Sequence, residues 1–368
     1  MKNNNLAILL TGGHAGSTAF EVIREIRRQK KDWQINWIGF KTSVEGKKIP
    51  PLSEIYFPQY NVKTYSLYAG KLQRKFTRHT IPSILKIPLG FIHSYSLLLK
   101  IRPKLILSFG GFTAFPVVFG GWLLRIPIII HEQTTVAGLT NRLSAPFAKI
   151  VAISRESSQD FFPKKKTIIT GNPTPKDVFS SEEPNKISDL PLIFVTGGQS
   201  GSSFINDIIG QTLRLLLEKY TLVHLTGLKD EEKYKKLRDE LPDSIKKKYQ
   251  IYGIVDPEKY NQLFVTATVV VSRAGANTVS KLIAAKKPSI LIPLPISYMQ
   301  EQQKNAEFAR DFGLAKIIPQ DHLSGDKLIS TLDVLISNRE NMIKKVLSKE
   351  SPDKDASTKV VELMSKLI

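Results

Sequence analysis

Cysteine is absent from all 368 residues, which excludes disulfides, thiolate nucleophiles and cysteine metal sites together and fits a reducing compartment. The N-terminus, MKNNNLAILL, has too short an apolar stretch for a signal-peptide core and no small-residue cleavage site, so a cytoplasmic location is expected. Neither G-x-G-x-x-G nor G-x-x-x-x-G-K-[ST] occurs in the glycine loops. A dinucleotide enzyme and a P-loop enzyme are therefore poor fits. No paired-acid or histidine cluster stands near those loops, so no metal and no cofactor is expected. Acidic residues are scarce in one half only: residues 1–172 hold 25 Lys and Arg against 8 Asp and Glu, whereas residues 173–368 hold 28 against 25. A positive field of that size attracts nucleic acid, phosphates or acidic lipid headgroups. The aromatic residues form no stacking platform, so nucleic acid is disfavoured despite a pI of about 9.8. Hydrophobic residues make 42% of the chain and charged residues 23%, which excludes extended disorder.

Residues 105–124, LILSFGGFTAFPVVFGGWLL, carry no charge and raise the question of a membrane span. Two Gly-Gly pairs and Pro116 interrupt them. They read as a buried strand Leu105–Phe109, a glycine turn and a short helix, followed by strand Ile126–Ile130.

Two segments share one pattern. Leu6–Leu10 leads into TGGHAGS (Thr11–Ser17), then a helix predicted from Thr18 with Phe20, Ile23 and Ile26 on one face. Leu192–Val195 leads into TGGQSGS (Thr196–Ser202), then the helical run SFINDIIGQTLRLLLEKY. Five of the seven loop residues are identical, which predicts two similar α/β halves, each with a parallel sheet. The polar segments GNPTP and SSEEPNKISDLP mark the junction. We divide the chain into an N-terminal domain 1–172 and a C-terminal domain 173–350, followed by a helix over about 351–368.

A strand that ends in glycines and opens a helix presents backbone N–H groups and a positive dipole end to an anion. The loops leave the nucleotide class open. The second loop is an internal control on the first, because Gln199 stands where the first has His14. The turn does not need an imidazole, and a histidine at the end of a strand suits a general base; the alternative is a histidine that only hydrogen-bonds its own loop. His131, in the HEQ that follows Ile126–Ile130, reads as structural. A third strand, turn and helix comprises Val269–Ser272 and RAGANTVSKLIAA; Gly275, Ala276, Asn277 and Thr278 at its turn make the best diphosphate site. Asn277 and Thr278 read alternatively as helix caps. Gln300, Gln302, Gln303 and Asn305 cluster before an apolar helix, where amides suit sugar hydroxyls or an exposed turn. Gly70–Thr80 sets Leu72 and Phe76 among Lys71, Arg74, Lys75 and Arg78, a pattern for an anionic membrane surface or for an ordinary exposed loop. Lys164–Lys166 reads as phosphate-attracting or as plain solvated surface.

Taken together, Thr11–His14, SFGGF (Ser108–Phe112), HEQ (His131–Gln133), AGLTN (Ala137–Asn141), GNP (Gly171–Pro173), Gly197-Gly198, SRAGA (Ser272–Ala276), Thr278–Ser280 and Gln302 with Asn305-Ala306 resemble the UDP-N-acetylglucosamine:lipid I N-acetylglucosaminyltransferases of peptidoglycan synthesis, the MurG-like enzymes, nearly end to end. The resemblance implies a GT-B fold, two Rossmann-like domains facing a cleft. The N-terminal domain would meet the lipid acceptor, the C-terminal one would hold the UDP-sugar, and the last helix would cross back. Thr11, Gly12 and Gly13 would face the sugar diphosphate and Val255 the uracil. Ala276, Asn277 and Thr278 would bind diphosphate and ribose, and Gln302 the sugar. Backbone N–H groups at Gly275–Asn277 and Gly198 would stabilise the leaving diphosphate.

The chain departs from the family pattern at Thr134, where HEQN has asparagine, at Pro175, where GNPVR has arginine, and at Gln199-Ser200, where GGSQG has the reverse order. Lys281 stands where the family has the acid that holds the ribose hydroxyls. These positions bear on donor affinity and identity. The expected reaction is inverting transfer of N-acetylglucosamine from UDP-N-acetylglucosamine to the 4-hydroxyl of the muramoyl sugar of lipid I, with His14 as base oriented by Glu132, at the cytoplasmic face of the membrane. The alternatives are a transferase with another UDP-sugar or lipid acceptor, a UDP-sugar epimerase, and a non-catalytic binder of nucleotide sugars or lipid diphosphates.

Overall fold

A computed structural model describes residues 6–13, 16–40, 51–68, 80–179 and 190–368. Uninterrupted apolar runs become strands buried on both faces, the usual environment of parallel strands flanked by helices. In the first half these are β1 (Ala7–Thr11), β2 (Gln34–Gly39), β3 (Val62–Ser66), β4 (Leu105–Ser108), β5 (Ile128–Glu132), β6 (Ile150–Ile153) and β7 (Thr167–Ile169). They form one parallel sheet in the order β3-β2-β1-β4-β5-β6-β7. The second half repeats the plan with β8 (Leu192–Thr196), β9 (Thr221–Leu225), β10 (Tyr249–Tyr252), β11 (Val269–Ser272), β12 (Ser289–Leu291) and β13 (Ala315–Ile317). Their order is β10-β9-β8-β11-β12-β13, again parallel. In both sheets the order reverses beside the first strand, between β1 and β4 and between β8 and β11. Crevices at the carboxyl ends of such reversals are where open α/β sheets bind ligands.

The chain divides into two units, one running to Pro173 and including Asp355–Ile368, the other Thr174–Lys354. The discontinuity has a packing cause. The C-terminal helix Ala356–Ser365 lays Val360, Val361 and Met364 into the core that holds Phe20, Ile23 and Ile26 of helix Gly16–Arg28. The Thr358 hydroxyl donates to Glu25 Oε1 at 2.9 Å across the same pair.

Several boundaries differ from the sequence reading. Helix Gly16–Arg28 begins inside the glycine motif rather than at Thr18. Strand β5 runs two residues further than Ile130, because His131 and Glu132 pair with Ala152 and Ile153 of β6. Both are buried strand residues rather than loop residues. Gln302, Gln303 and Asn305 lie within helix Glu301–Phe312. The uncharged stretch 105–124 divides into β4, a turn with Gly110 and Gly111 at φ +77° and +89°, and helix Ala114–Leu123. Among the described residues no helix is long and apolar enough to cross a membrane. Within Lys164–Lys166, the Lys166 ammonium donates to the carbonyls of Ala145 at 2.6 Å and Ala148 at 3.0 Å, so it ties a turn together.

Candidate active site

In the first unit the loops after β1 and β4 interlock backbone to backbone, and Gln133 and Asn141 after β5 reach them through their side chains. The Gly13 N–H donates to the Gly110 carbonyl at 2.8 Å. A Cβ on Gly111 would stand 2.6 Å from the Gly13 nitrogen, and one on Gly110 would stand 2.6 Å from Asn141 Oδ1. Only glycine allows this approach, and both positions also need a positive φ. Gly12 is buried in the same corner. Thr11, expected to face the sugar diphosphate, is buried and its hydroxyl donates to the Ile38 carbonyl at 2.9 Å. Its polar group is committed to the sheet. His14 lies outside the described residues, as do Lys71, Leu72, Arg74, Lys75, Phe76 and Arg78.

Glu132 ends β5 fully buried, with its partners in its own loop. Oε2 accepts from the Gly138 N–H at 2.8 Å and from the Asn141 amide at 2.9 Å. Oε1 accepts from the Thr134 N–H at 3.2 Å and the Thr134 hydroxyl at 3.1 Å. Burial pushes its pKa up, and the four hydrogen bonds oppose that by favouring the carboxylate. Thr134, expected at the donor, is likewise held inward, between Glu132 and the Val136 carbonyl. His131 is buried, with Nε2 3.0 Å from the Gly171 carbonyl. Only a protonated nitrogen can bond a carbonyl, so Nε2 is the donor. The imidazole is structural.

In the second unit, helix Ala276–Ala284 starts from Gly275 at the reversal point of the sheet. Gly275 has no side chain to cap the first turn, whose N–H groups have no acceptor within a helix. The geometry suits an anion. Thr278 is buried in the first turn of this helix, and it and Thr196 lie beside the Tyr260 hydroxyl, whose pKa burial pushes up and these two side chains draw back down. Lys281, one turn on, is buried with Nζ 5.7 Å from the centre of the Tyr260 ring, a cation–π distance. The Gly198 N–H, expected to meet the leaving diphosphate, donates to the Thr196 hydroxyl at 2.9 Å. Gln199 Nε2 donates to the carbonyl of buried Val255 at 3.1 Å, while Ser200 is exposed. Gln302 Oε1 accepts from the Leu294 N–H at 3.1 Å, and the Asn305 amide donates to the Ala274 carbonyl at 3.2 Å. Met299 and Gln300, just before this helix, take left-handed φ of 49° and 56°, a conformation costing about 1–3 kcal/mol for such residues.

Arg273, in the sequence one letter of SRAGA with no role assigned to it, is engaged on all sides in the structure. Its buried guanidinium donates through Nε to the Ser202 hydroxyl at 3.2 Å, and through the terminal nitrogens to the Ile292 carbonyl at 3.1 Å, the Pro293 carbonyl at 3.3 Å and Gln320 Oε1 at 2.7 Å. The available signal was a lone basic residue directly after the apolar run VVVS. Within this unit the loops carrying Gly198–Ser200, Gly275–Thr278 and Gln302 thus meet at one end of the sheet, joined by Arg273 and Asn305. Among the described residues no group of three or more His, Asp or Glu side chains is placed to hold a metal ion.

Comparison with known proteins follows both units. The glycosyltransferase family 28 N-terminal domain matches residues 8–153, and the family's C-terminal domain matches residues 192–360. The UDP-N-acetylglucosamine–N-acetylmuramyl-(pentapeptide) pyrophosphoryl-undecaprenol N-acetylglucosamine transferase of Legionella pneumophila (strain Lens) is 30% identical over 367 residues, covering 96% of this chain and 94% of that protein. Among solved structures, Acinetobacter baumannii MurG superposes with a TM-score of 0.68 at 23% identity, covering 98% of this chain and 99% of its own. The UDP-GlcNAc 2-epimerase of Neisseria meningitidis superposes with a TM-score of 0.67 at 16% identity over 98% of this chain and 100% of its own. The two architectures are therefore shared with enzymes of different chemistry, and the sequence makes the distinction: the chain belongs to glycosyltransferase family 28, with the MurG-like N-acetylglucosaminyltransferases.

Proposed function

We propose that the chain transfers N-acetylglucosamine from UDP-N-acetylglucosamine to the 4-hydroxyl of the muramoyl sugar on an undecaprenyl-diphosphate acceptor, lipid I, and so makes lipid II. The observation that carries this reading is the similarity to named transferases of that reaction over 96% of the chain, which includes both units. The second unit takes the donor. Amides of Gly275–Asn277 stabilise the charge that develops on the departing UDP, the kind of preorganised donor array that lowers such barriers. Val255 lies against the uracil, and Gln302 and Asn305 hold the loop that meets the sugar. Gly198, Thr278 and Lys281 act by shaping that pocket, since their polar groups are engaged with Thr196 and Tyr260.

The first unit takes the acceptor, and His14 accepts the proton of the attacking hydroxyl. The Glu132 carboxylate sets the loop geometry around that centre through Thr134, Gly138 and Asn141. Peripheral binding to an anionic membrane delivers the acceptor. It is supported by apolar side chains left exposed on three helices of this unit: Leu89 and Ile92 on Thr80–Ile101, Trp122 and Leu123 on Ala114–Leu123, and Leu139 and Leu143 on Leu139–Ser144. Ile92 is 68% exposed and Trp122 47%, beside an aromatic cluster of Phe91, Phe115, Phe119 and Phe147.

The test offers purified protein a panel of UDP-sugars with a short-chain lipid I analogue and follows UDP release. Release with UDP-N-acetylglucosamine that depends on the acceptor is expected. Release from another UDP-sugar alone, or epimerisation without acceptor, would replace this reading. His14→Ala is expected to lower kcat by ~10²–10⁴, the range for a general acid–base group, with UDP affinity kept; near-normal turnover removes His14 from the mechanism.

A further inference from the structure

We infer that Arg273 is a positioning residue for donor binding, a buried cation that locks the loops of the second unit into one arrangement. The inference rests on the donor reading above for its function but on geometry for its existence. Arg273 directly follows β11 and precedes the turn at Gly275. Its guanidinium engages four acceptors on three other segments. Ser202 ends the glycine loop after β8 and stands directly before helix Ser203–Lys219, with no capping bond from its side chain; Ile292 and Pro293 open the loop that leads to Gln302; and Gln320 follows β13. With β11's own loop, this joins the carboxyl ends of four of the six strands of the sheet.

Chemistry selects arginine here over lysine. A guanidinium offers five N–H donors in a fixed planar fork, so it can bond acceptors on three sides at once, whereas an ammonium is a compact point charge. The plane also packs over the Phe204 ring, at 5.7 Å from its centre. Burial lowers the pKa of the group below its ordinary value, but a guanidinium stays charged in a protein. The acceptors are neutral: one hydroxyl, two carbonyls and one amide oxygen. The charge is therefore spread over fixed dipoles rather than cancelled by a carboxylate among them. One residue thus supplies the alignment of the Ser202, Gly275 and Leu294 loops.

Alignment has a large lever on binding. A loop already held in its bound arrangement does not have to be ordered when the donor binds, so loosening it weakens binding. The strained pair Met299 and Gln300 lies on the segment that Arg273 holds at Ile292 and Pro293, between that anchor and Gln302. Loosening the anchor lets the strain relax and moves Gln302.

The experiment uses Arg273→Lys and Gln320→Ala in the full-length protein, each checked by its thermal melt. Amide hydrogen exchange is followed without ligand, and KM for UDP-N-acetylglucosamine and kcat are followed with the acceptor analogue. In Arg273→Lys, exchange is expected to rise together in residues 197–202, 274–278 and 292–302, with the body of helix Ser203–Lys219 unchanged. KM for the donor is expected to rise roughly tenfold, the cost of ordering the loosened loops on binding, and kcat to change by less than about threefold. Gln320→Ala, which removes one of the four acceptors, is expected to give a smaller change in the same direction. Unchanged exchange in the three segments, or a loss of kcat at constant donor KM, overturns the inference. A wild-type protein that binds no UDP-sugar while the exchange pattern still appears overturns the donor reading and leaves the clamp standing. The two failures are thereby separated.

Discussion

At the scale of single residues, several polar groups around both glycine loops, among the described residues, are engaged with the protein itself. Thr11, Thr134, Thr278 and Gly198 each have a partner within 3.5 Å or a shared tyrosine. Glu132 shows what this means energetically. Glu132→Gln would turn an amide N–H₂ toward the Gly138 N–H or the Thr134 N–H, donor against donor. A stability loss of about 1–3 kcal/mol is expected, the cost of leaving a buried group unsatisfied, with reduced turnover from a disturbed loop. Urea unfolding measures it, and an unchanged midpoint would show that the carboxylate does not anchor the loop.

His224 gives a pH signature in the second unit. It is fully buried between Tyr249 Oη, 2.8 Å from Nδ1, and Asn206 Oδ1, 3.0 Å from Nε2, with the Tyr234 ring beside it. Desolvation lowers its pKa to about 3, against a weaker raising influence from Asp230. The unfolded chain therefore binds this proton below about pH 6.5 while the folded one does not. The stability concerned is complete above that pH and is lost as pH falls toward 3, at up to ~1.4 kcal/mol per pH unit. Replacing the imidazole by a neutral amide, His224→Gln, should flatten that slope in urea unfolding measured between pH 6 and 4; an unaltered slope would assign it elsewhere.

At the scale of elements, periodicity in the sequence located most strands and helices, and the misplaced ends have identifiable causes. Strand β5 extends through His131 and Glu132 because β6 lies alongside to pair with them, a partner that no local pattern announces. The last helix belongs to the first unit because its apolar stripe finds the stripe of helix Gly16–Arg28. Met364 is fully buried there. Met364→Ala is expected to cost about 2–5 kcal/mol, as for other large-to-small core changes. Hydrogen exchange should report the loss in β1 and helix Gly16–Arg28 and leave β8 and helix Ser203–Lys219 protected. Equal deprotection of both would mean that the two units unfold as one.

At the scale of the whole molecule, the charge excess and the exposed apolar helices belong to the same half. Residues 1–172 carry 25 basic and 8 acidic residues, and Leu89, Ile92, Trp122, Leu123, Leu139 and Leu143 stand exposed within it. Membrane attachment by two signals, field and apolar burial, should respond to both. Binding to phosphatidylglycerol vesicles at low salt is expected to weaken several-fold at 0.5 M salt, where the Debye length falls to about 4 Å. Ile92→Ser with Leu89→Ser, both at exposed positions, should weaken it further with little change in the melt. Indifference to anionic vesicles at low salt removes the membrane reading.

The sequence by itself determined the two-fold plan, because a strand, a glycine loop and a helix are local patterns and their recurrence at Thr11 and Thr196 is visible in one line of text. It also determined the family, through short motifs whose glycines are required by backbone contacts such as Gly13 against Gly111. The tertiary structure decided which side chains around those loops are already committed. Hydrogen-bond partners such as Ile38 for Thr11, Tyr260 for Thr278 and Ile292 for Arg273 are distant in sequence and meet only when parallel strands align their carboxyl ends. Arg273 was legible as a motif letter; its hold on four strand ends exists only in the folded sheet.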